Sequence, residues 1–327
     1  MNSSDHLIPK TRSAHSENGI TTLMTSLKRE KSACPVRVVA PYELTRTIRV
    51  KPADAGKTVL DFFDERFPYL GRDRWMDRIE RGWVLDGVQP VTADFTVKPH
   101  LNLCHFSPKV KEPAVASDVR VLNESDDWLA VYKPAPLPMH QGGRYYKNTL
   151  LFMLGEMGYK NLKIVHRLDA VTSGVVLLAK HKESAKKLRT AFESGNVRKV
   201  YRAVVSGEMT EPITVDAPIR RKRGFVFECG DGLTGAKPAV TRFFPEEIKN
   251  GKTVVRCEPI TGRTHQIRLH LKYAGFPIFD DPIYGPNGDD SGQKLQNSAI
   301  SLRSFGITVE EMEIASVITN FILSCEL

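Results

Sequence analysis

The stretch VHRLDAVTSGVVLLAK, Val165–Lys180, constrains this chain more than any other. Apolar runs lie on either side of a short polar segment that holds His166, Arg167 and Asp169. Such runs read as a buried strand pair. The fold must therefore carry an ionised carboxylate and an arginine at the mouth of a sheet interior. A charge so placed is either a structural ion pair at a strand end or part of a site. If the segment is a strand, alternation puts residues 167 and 169 on one face.

The pattern around this stretch is mixed. VRVLNES and WLAVYKPA read as strands about a turn at Asp126-Asp127, and LLFMLGEM as a short helix. LKIVHRLD and GVVLLAK are strands flanking the Asp169 loop. KESAKKLRTAFESG is an amphipathic helix that buries Ala185, Leu188 and Phe192 and shows Lys182, Lys186, Lys187 and Arg189 to solvent. KVYRAVVSG is a strand from which the Tyr201 phenol can stack on a base, and VTRFFPEEIKNGKTVVRCEPI is a hairpin. In TGRTHQIRLHLKYAG, Thr264 is the expected N-cap and Gly275 the C′ residue of a helix burying Ile267, His270, Leu271 and Ala274. Arg268 falls in its first turn, off that apolar face, where it can reach a carboxylate and hold it ionised. The expected class is α+β, with a mixed, mainly antiparallel sheet.

A smaller N-terminal α+β domain precedes it. Residues 1–40 read as a disordered leader; its Asp5, Glu17 and Glu30 argue against an organellar transit peptide. Over 41–106, GKTVLDFFDERF and RDRWMDRIERG read as helices, the second stopping at Gly82, and WVLDGVQPV as a hairpin turning at Asp86-Gly87. Arg74, Arg78 and Arg81 make a stripe on the second helix, with Trp75 and Ile79 on a face that packs inward. A helix pair, a tight hairpin and an arginine face resemble the αL RNA-binding module of a ribosomal small-subunit protein. The other reading of the stripe is a solvated helix face. SPKVKEPAVASD, residues 107–118, reads as a linker.

Lys and Arg number 47 against 38 Asp and Glu, a net charge of +9 that suits a polyanion such as nucleic acid. The five cysteines are scattered and never in a CxxC pair, which speaks against a disulfide framework or zinc site and for an intracellular, reducing compartment. Cytoplasm, nucleus and organelle stay equally open. No run is long enough to span a membrane as a helix. His265 and His270 lie five apart with no third ligand nearby, so no metal is expected. Ser173 has no nucleophile elbow around it, and Gly142, Gly143 and Lys147 lack phosphate-loop spacing.

HRLDAVTSGVVLLAK, KVYRAVVSG and GRTHQIRLHLKYAGFPIFDDPIYG, in that order and preceded by VLNESDDWLAVYKPAPLPMH, resemble the RluA-type family of pseudouridine synthases. The resemblance runs from Val119 to Gly285. It implies isomerisation of uridine to pseudouridine in RNA, with no cofactor and no metal. By position it implies that Asp169 is the catalytic aspartate, Tyr201 the active-site tyrosine and Arg268 the arginine paired with the aspartate. Arg167 matches an arginine that fills the space left by the target nucleotide. Lys182 and Lys186, just after the catalytic strand, are candidate RNA contacts beside Arg74, Arg78 and Arg81. Ribosomal, transfer and messenger RNA are all open as partners, and a monomer is the default.

The pattern breaks after Gly285. PNGDDSGQKLQNSA is low in complexity, and ITVEEMEIASVITNFIL reads as an amphipathic helix. The family's Leu-His-Ala-bearing strand and short terminal strand are not visible. A catalytic domain over 119–285, C-terminally incomplete, and a divergent tail over 286–327 are therefore expected. Asp280 stands where the family commonly has a glycine. The competing reading is a catalytically inactive or truncated RNA-binding protein with the same fold.

Overall fold

A computed structural model describes residues 34–289 and 298–309. Residues 1–33, almost all of the expected leader, lie outside the described residues, as does most of the expected C-terminal helix. The chain forms two compact units, one from Val36–Val115 with His140–Asn148, the other from Ala116–Met139 with Thr149 onward.

In the N-terminal unit, β1 (Val36–Arg37) and β2 (Tyr42–Arg49) lead into α1 (Val59–Arg66), α2 (Arg72–Glu80), β3 (Val84–Leu85) and β4 (Asn102–Val110). The Thr58 hydroxyl caps α1 by accepting the Asp61 N–H at 3.1 Å. Val59, Phe62, Phe63, Trp75, Ile79 and Leu103 make the core against a sheet ordered β2-β4-β3. The hairpin turns where expected: Asp86 N–H donates to Gln89 O and Val91 N–H to Val84 O, both at 3.0 Å.

The stretch expected as a linker is structured. Ser107–Val110 completes β4, pairing with β2 through Leu44↔Ser107 and Tyr42↔Val110, and Val115–Ala116 is β5. Between them the Glu112 carboxylate accepts the N–H groups of Tyr146, Lys147 and Asn148 at 3.0, 2.8 and 2.8 Å. A proline- and charge-rich composition hid these long-range partners.

The larger unit is built on a nine-stranded sheet ordered β11-β14-β15-β10-β16-β9-β7-β6, with β8 also on β9. Its strands are β6 (Arg120–Glu124), β7 (Trp128–Lys133), β8 (Lys163–Ile164), β9 (Ser173–Ala179), β10 (Val197–Ser206), β11 (Ile213–Asp216), β14 (Val240–Lys249), β15 (Lys252–Pro259) and β16 (Leu302–Val309). A separate hairpin joins β12 (Ile219–Arg223) to β13 (Val226–Cys229). The sheet is mainly antiparallel, with β16 and β9 parallel, so the α+β class holds.

Three helices pack here: α3 (Leu150–Glu156), α4 (Lys182–Ser194) and α5 (Gln266–Tyr273). On α4, Ala185 and Leu188 are buried against Val175, Leu177 and Ile307, while Phe192 is only partly buried. Strand β9 is buried at every position after Ser173, as its apolar run demands.

The C-terminal expectation needs correcting. SLRSFGITV is not tail: residues 302–309 form β16, seated between β10 and β9 in the middle of the sheet. Ile307–Val309, expected to open a helix, are its last turnless residues, buried at Ile307 and Val309. Asp280, the family's glycine position, helps to hold this strand's entry. Its carboxylate accepts the Ser301 N–H and hydroxyl, both at 2.8 Å. Gly174 explains the glycine of the TSG element. Its φ is +120°, and an added Cβ would sit 2.1 Å from the Ser304 carbonyl oxygen on β16.

Candidate active site

The segment expected to run as a strand through Asp169 does not. Strand β8 ends at Ile164, and residues 165–172 form an irregular loop, so same-face alternation of 167 and 169 does not apply. The His166 side chain is the reason. Its Nε2 accepts the Leu177 N–H of β9 at 2.9 Å, and its ring stacks on Phe192 at 4.7 Å. An imidazole thus replaces the strand partner. Burial, reinforced by Lys199, pulls its pKa down to about 3, so it stays a neutral acceptor.

Lys133 holds the loop from beneath. It is fully buried, and its Nζ donates to the carbonyls of Pro134, Leu137 and Ala170 at 3.1, 2.8 and 3.3 Å. Three acceptors match the three N–H groups of an ammonium. Burial pulls this group down to about 7, while Asp169 draws it back up. The residue beside Asp169 is therefore tied to a charge rather than left to loop motion.

On α5, Arg268 is 1 % exposed and reaches carboxylates, as its position off the apolar stripe suggested. It binds Asp281 in a two-point fork, Nε to Oδ2 at 2.6 Å and Nη2 to Oδ1 at 2.9 Å. Asp281 Oδ1 also takes the N–H groups of Ile283 and Tyr284 at 2.9 and 3.0 Å. The third nitrogen, Nη1, has no hydrogen-bond partner among the described residues and lies 3.5 Å from Asp169 Oδ2. Burial alone raises Asp169, but His265, Arg268, Arg167 and Lys133 together hold it below the usual carboxylate range. Asp281 follows the same balance, burial offset chiefly by Arg268. One guanidinium serves two carboxylates.

His265, not Thr264, precedes the first turn of α5, in the left-handed region with φ +57°. A non-glycine residue there stores on the order of 1 kcal/mol of strain. Its hydrogen bonds define its protonation. Tyr284 Oη accepts the Phe227 N–H at 3.0 Å and meets His265 Nδ1 at 2.8 Å. The acceptor-only Asp169 carboxylate beside Nε2 favours the tautomer in which the phenol donates to Nδ1. The imidazole hydrogen then sits on Nε2, which is 3.8 Å from Asp169 Oδ2. Burial, against the pull of Asp169, brings this histidine down to about 4. It is a neutral donor facing the carboxylate. His270 is used up in the core, Nδ1 on Thr241 Oγ1 and Nε2 on the Ala217 carbonyl at 2.9 and 3.0 Å.

Tyr201 lies on β10 where the pairing with β16 shifts register between Val200 and Tyr201, an irregularity that re-aims a side chain. Burial, with Asp169 adding to it, raises the phenol above its ordinary range, so it is protonated. Tyr201, Asp169, Arg268, His265 and Arg167 all line one cavity of about 470 Å³. Arg167 is exposed there and Arg189 stands on the same wall. Lys182 and Lys186 are exposed on α4 but do not line the cavity.

In the N-terminal unit the arginine stripe is uneven. Arg74 is exposed, Arg81 is bonded to Asp77 at 2.8 Å, and Arg78 is half-buried with Nη1 on His105 Nε2 at 2.9 Å. Sequence reasoning gathered Asp169, Tyr201, Arg268 and Arg167. It missed Lys133, Asp281 and His265 as parts of the same cluster. The lysine ahead of a proline and the aspartate after Asp280 were their local signals in the sequence.

Residues 127–273 match the family described as RNA pseudouridylate synthase. The tRNA pseudouridine(31) synthase of Saccharomyces cerevisiae is 31% identical over 296 residues, 76% of this chain and 72% of that protein. The chain belongs to the RNA pseudouridylate synthase family. An RNA pseudouridine synthase 7 from Oryza sativa subsp. japonica is 35% identical over 256 residues, and this chain spans 65% of its length. The solved structure of Human RNA Pseudouridylate Synthase Domain Containing 1 superposes with a TM-score of 0.53 at 25% identity, covering 62% of this chain and 84% of that one.

Proposed function

We propose that this chain isomerises uridine to pseudouridine within RNA, with Asp169 as the catalytic carboxylate. The observation that carries this reading is an ionised aspartate at the base of a cavity, facing the unfilled Nη1 of Arg268 and the Nε2–H of His265. The reaction breaks the C1′–N1 bond, turns the base and forms C1′–C5; the C5 proton is lost and N1 gains one. A stacked nucleotide cannot do this. It must be extruded, at a cost of a few kcal/mol, and a side chain that fills the gap favours the open state. Arg167, exposed at the cavity wall, is suited to that task.

Inside, a carboxylate held ionised without bulk water is available to the sugar or base from the moment of binding. The protonated Tyr201 ring offers a face on which a detached uracil is retained while it rotates. An inactive RNA-binding protein is the less favoured reading. Holding buried Asp281 and part-buried Asp169 around one arginine costs desolvation that binding alone would not need.

Two yeast relatives are named for tRNA positions 31 and 32, which makes tRNA the first substrate class to assay. Tritium release from RNA labelled at uridine C5 tests the proposal. Wild type is expected to release label and Asp169→Asn to lose at least about 10³-fold while still binding RNA. Release at the wild-type rate by Asp169→Asn would overturn the assignment.

A further inference from the structure

The N-terminal unit has a cavity of its own, about 390 Å³, lined by residues from β2, α1, α2, β4 and the segment 140–148. Its walls are aromatic. Phe67 lies 5.9 Å from Trp75 and 6.2 Å from Tyr69 between ring centroids, and Trp75 lies 5.0 Å from His105. Tyr69 is 60% exposed, a large ring shown to solvent beside a core it does not fill. Tyr146 also lines it, with the Arg46 guanidinium 6.0 Å from its ring centroid. Threonine, isoleucine and glutamine side chains complete the lining, and among the described residues no carboxylate takes part in it.

We propose that this cavity is a second RNA contact, a subsite that takes one unpaired nucleotide. The proposal rests on the reading that the chain acts on RNA. The space suits one nucleotide, whose base is a flat ring that gains by stacking on aromatic faces whatever its identity. Arg46 supplies the cation for its phosphate and can stack as well. The floor is uncharged. Arg78 can only donate, so His105 accepts through Nε2 and keeps its proton on Nδ1; burial, Arg78 and Arg46 bring its pKa down to about 4. The subsite thus combines a neutral aromatic floor with a cationic rim.

The Tyr146 wall is built rather than incidental. Glu112 accepts three successive N–H groups from Tyr146 to Asn148 and the Tyr42 hydroxyl. Burial raises that carboxylate, but these four hydrogen bonds outweigh it and keep it below its ordinary value. Lys147 Nζ is 4.0 Å from the Tyr42 ring centroid and reinforces the same corner. A rim fixed this way is preformed for a ligand, which spares the ordering cost of binding.

The test is fluorescence anisotropy of the full chain with a labelled single-stranded 20-mer RNA and the same RNA carrying abasic positions. Tyr69→Ala and Tyr146→Ala are expected to weaken binding of the intact RNA roughly 5- to 50-fold and leave the salt slope alone. Arg46→Gln should lower that slope by about one counterion. Tyr69 is exposed, so its variant keeps the test valid if Tyr146→Ala alters melting. Equal affinity of wild type and Tyr69→Ala, or of intact and abasic RNA, would overturn the subsite. The parent reading fails differently: wild type then neither binds RNA nor releases tritium. Wild type that does both, with variants that bind as well, removes the subsite alone.

Discussion

Both units bury a histidine beside an arginine, and they use the pair in opposite ways. In the N-terminal unit Arg78 donates to His105 Nε2, leaving the ring hydrogen on Nδ1. The same guanidinium lies 5.8 Å from the ring centroids of both Trp75 and Trp83 and stays half-exposed. In the larger unit Arg268 ignores its histidine and grips Asp281, while His265 carries its hydrogen on Nε2 toward Asp169. What separates the two is the carboxylates. Where, among the described residues, no carboxylate bonds the arginine, it serves as packing with a charge at its tip. Where two meet one arginine, Asp281 takes two of its nitrogens and the third, Nη1, is left facing Asp169.

The sharpest way to break this comparison is to remove each arginine. Arg268→Met strands buried Asp281 and part-buried Asp169 and is expected to cost about 3–5 kcal/mol in urea unfolding, with activity lost. Arg78→Met leaves only a neutral imidazole behind and should cost no more than about 1–2 kcal/mol. Equal losses would mean that the carboxylates do not set the difference.

Acid should expose what the two histidines share. Each has an ordinary value near 6.5 and is lowered to about 4 in the fold. Between those limits the unfolded chain binds more protons, so stability rises with pH and falls as the solution is acidified from 6.5 towards 4. Each histidine contributes up to about 3 kcal/mol of that loss. The Asp169 and Asp281 contributions are lost only at lower pH, below 3.8, because their folded values are depressed. A melting temperature that stays flat from pH 7 to pH 4.5 would contradict the assignment, and His105→Gln or His265→Gln should each remove one share.

A smaller effect tests the tautomers themselves. Nitrogen-15 imidazole spectra should show the hydrogen on Nε2 of His265 and on Nδ1 of His105. Tyr284→Phe frees Nδ1 of His265, with an expected cost of about 1 kcal/mol and a several-fold slower reaction at unchanged RNA affinity. The smallest expected effect concerns the stripe. Arg74→Gln should lower the salt slope of RNA binding by about one, and Arg81→Gln by less, because Arg81 already answers Asp77.

Much of this was legible because it is local. Helices α1, α2 and α4 and the β14–β15 hairpin follow from periodicity and turn residues, and the buried run of β9 announced a central strand. The misses are long-range. Asp281 meets Arg268 from thirteen residues away, His166 replaces a strand partner through its side chain, and Glu112 binds a segment more than thirty residues later. Strand β16 was missed for a related reason: its parallel contact with β9 is two residue pairs long, so nothing in its own sequence needs to match that partner. Strand periodicity identifies a surface that will be buried. It says nothing of which distant side chain will complete it.

The position of β16 has a consequence for the order in which the molecule can be made. All the residues of the N-terminal unit have been synthesised by Asn148, whereas the slot between β10 and β9 stays vacant until residue 309 has left the ribosome. Until then two edges and the apolar faces behind them are open to mispairing, and Leu302 is missing from the cavity wall. A nascent chain therefore holds all the residues of one unit while the sheet of the other still lacks a central strand.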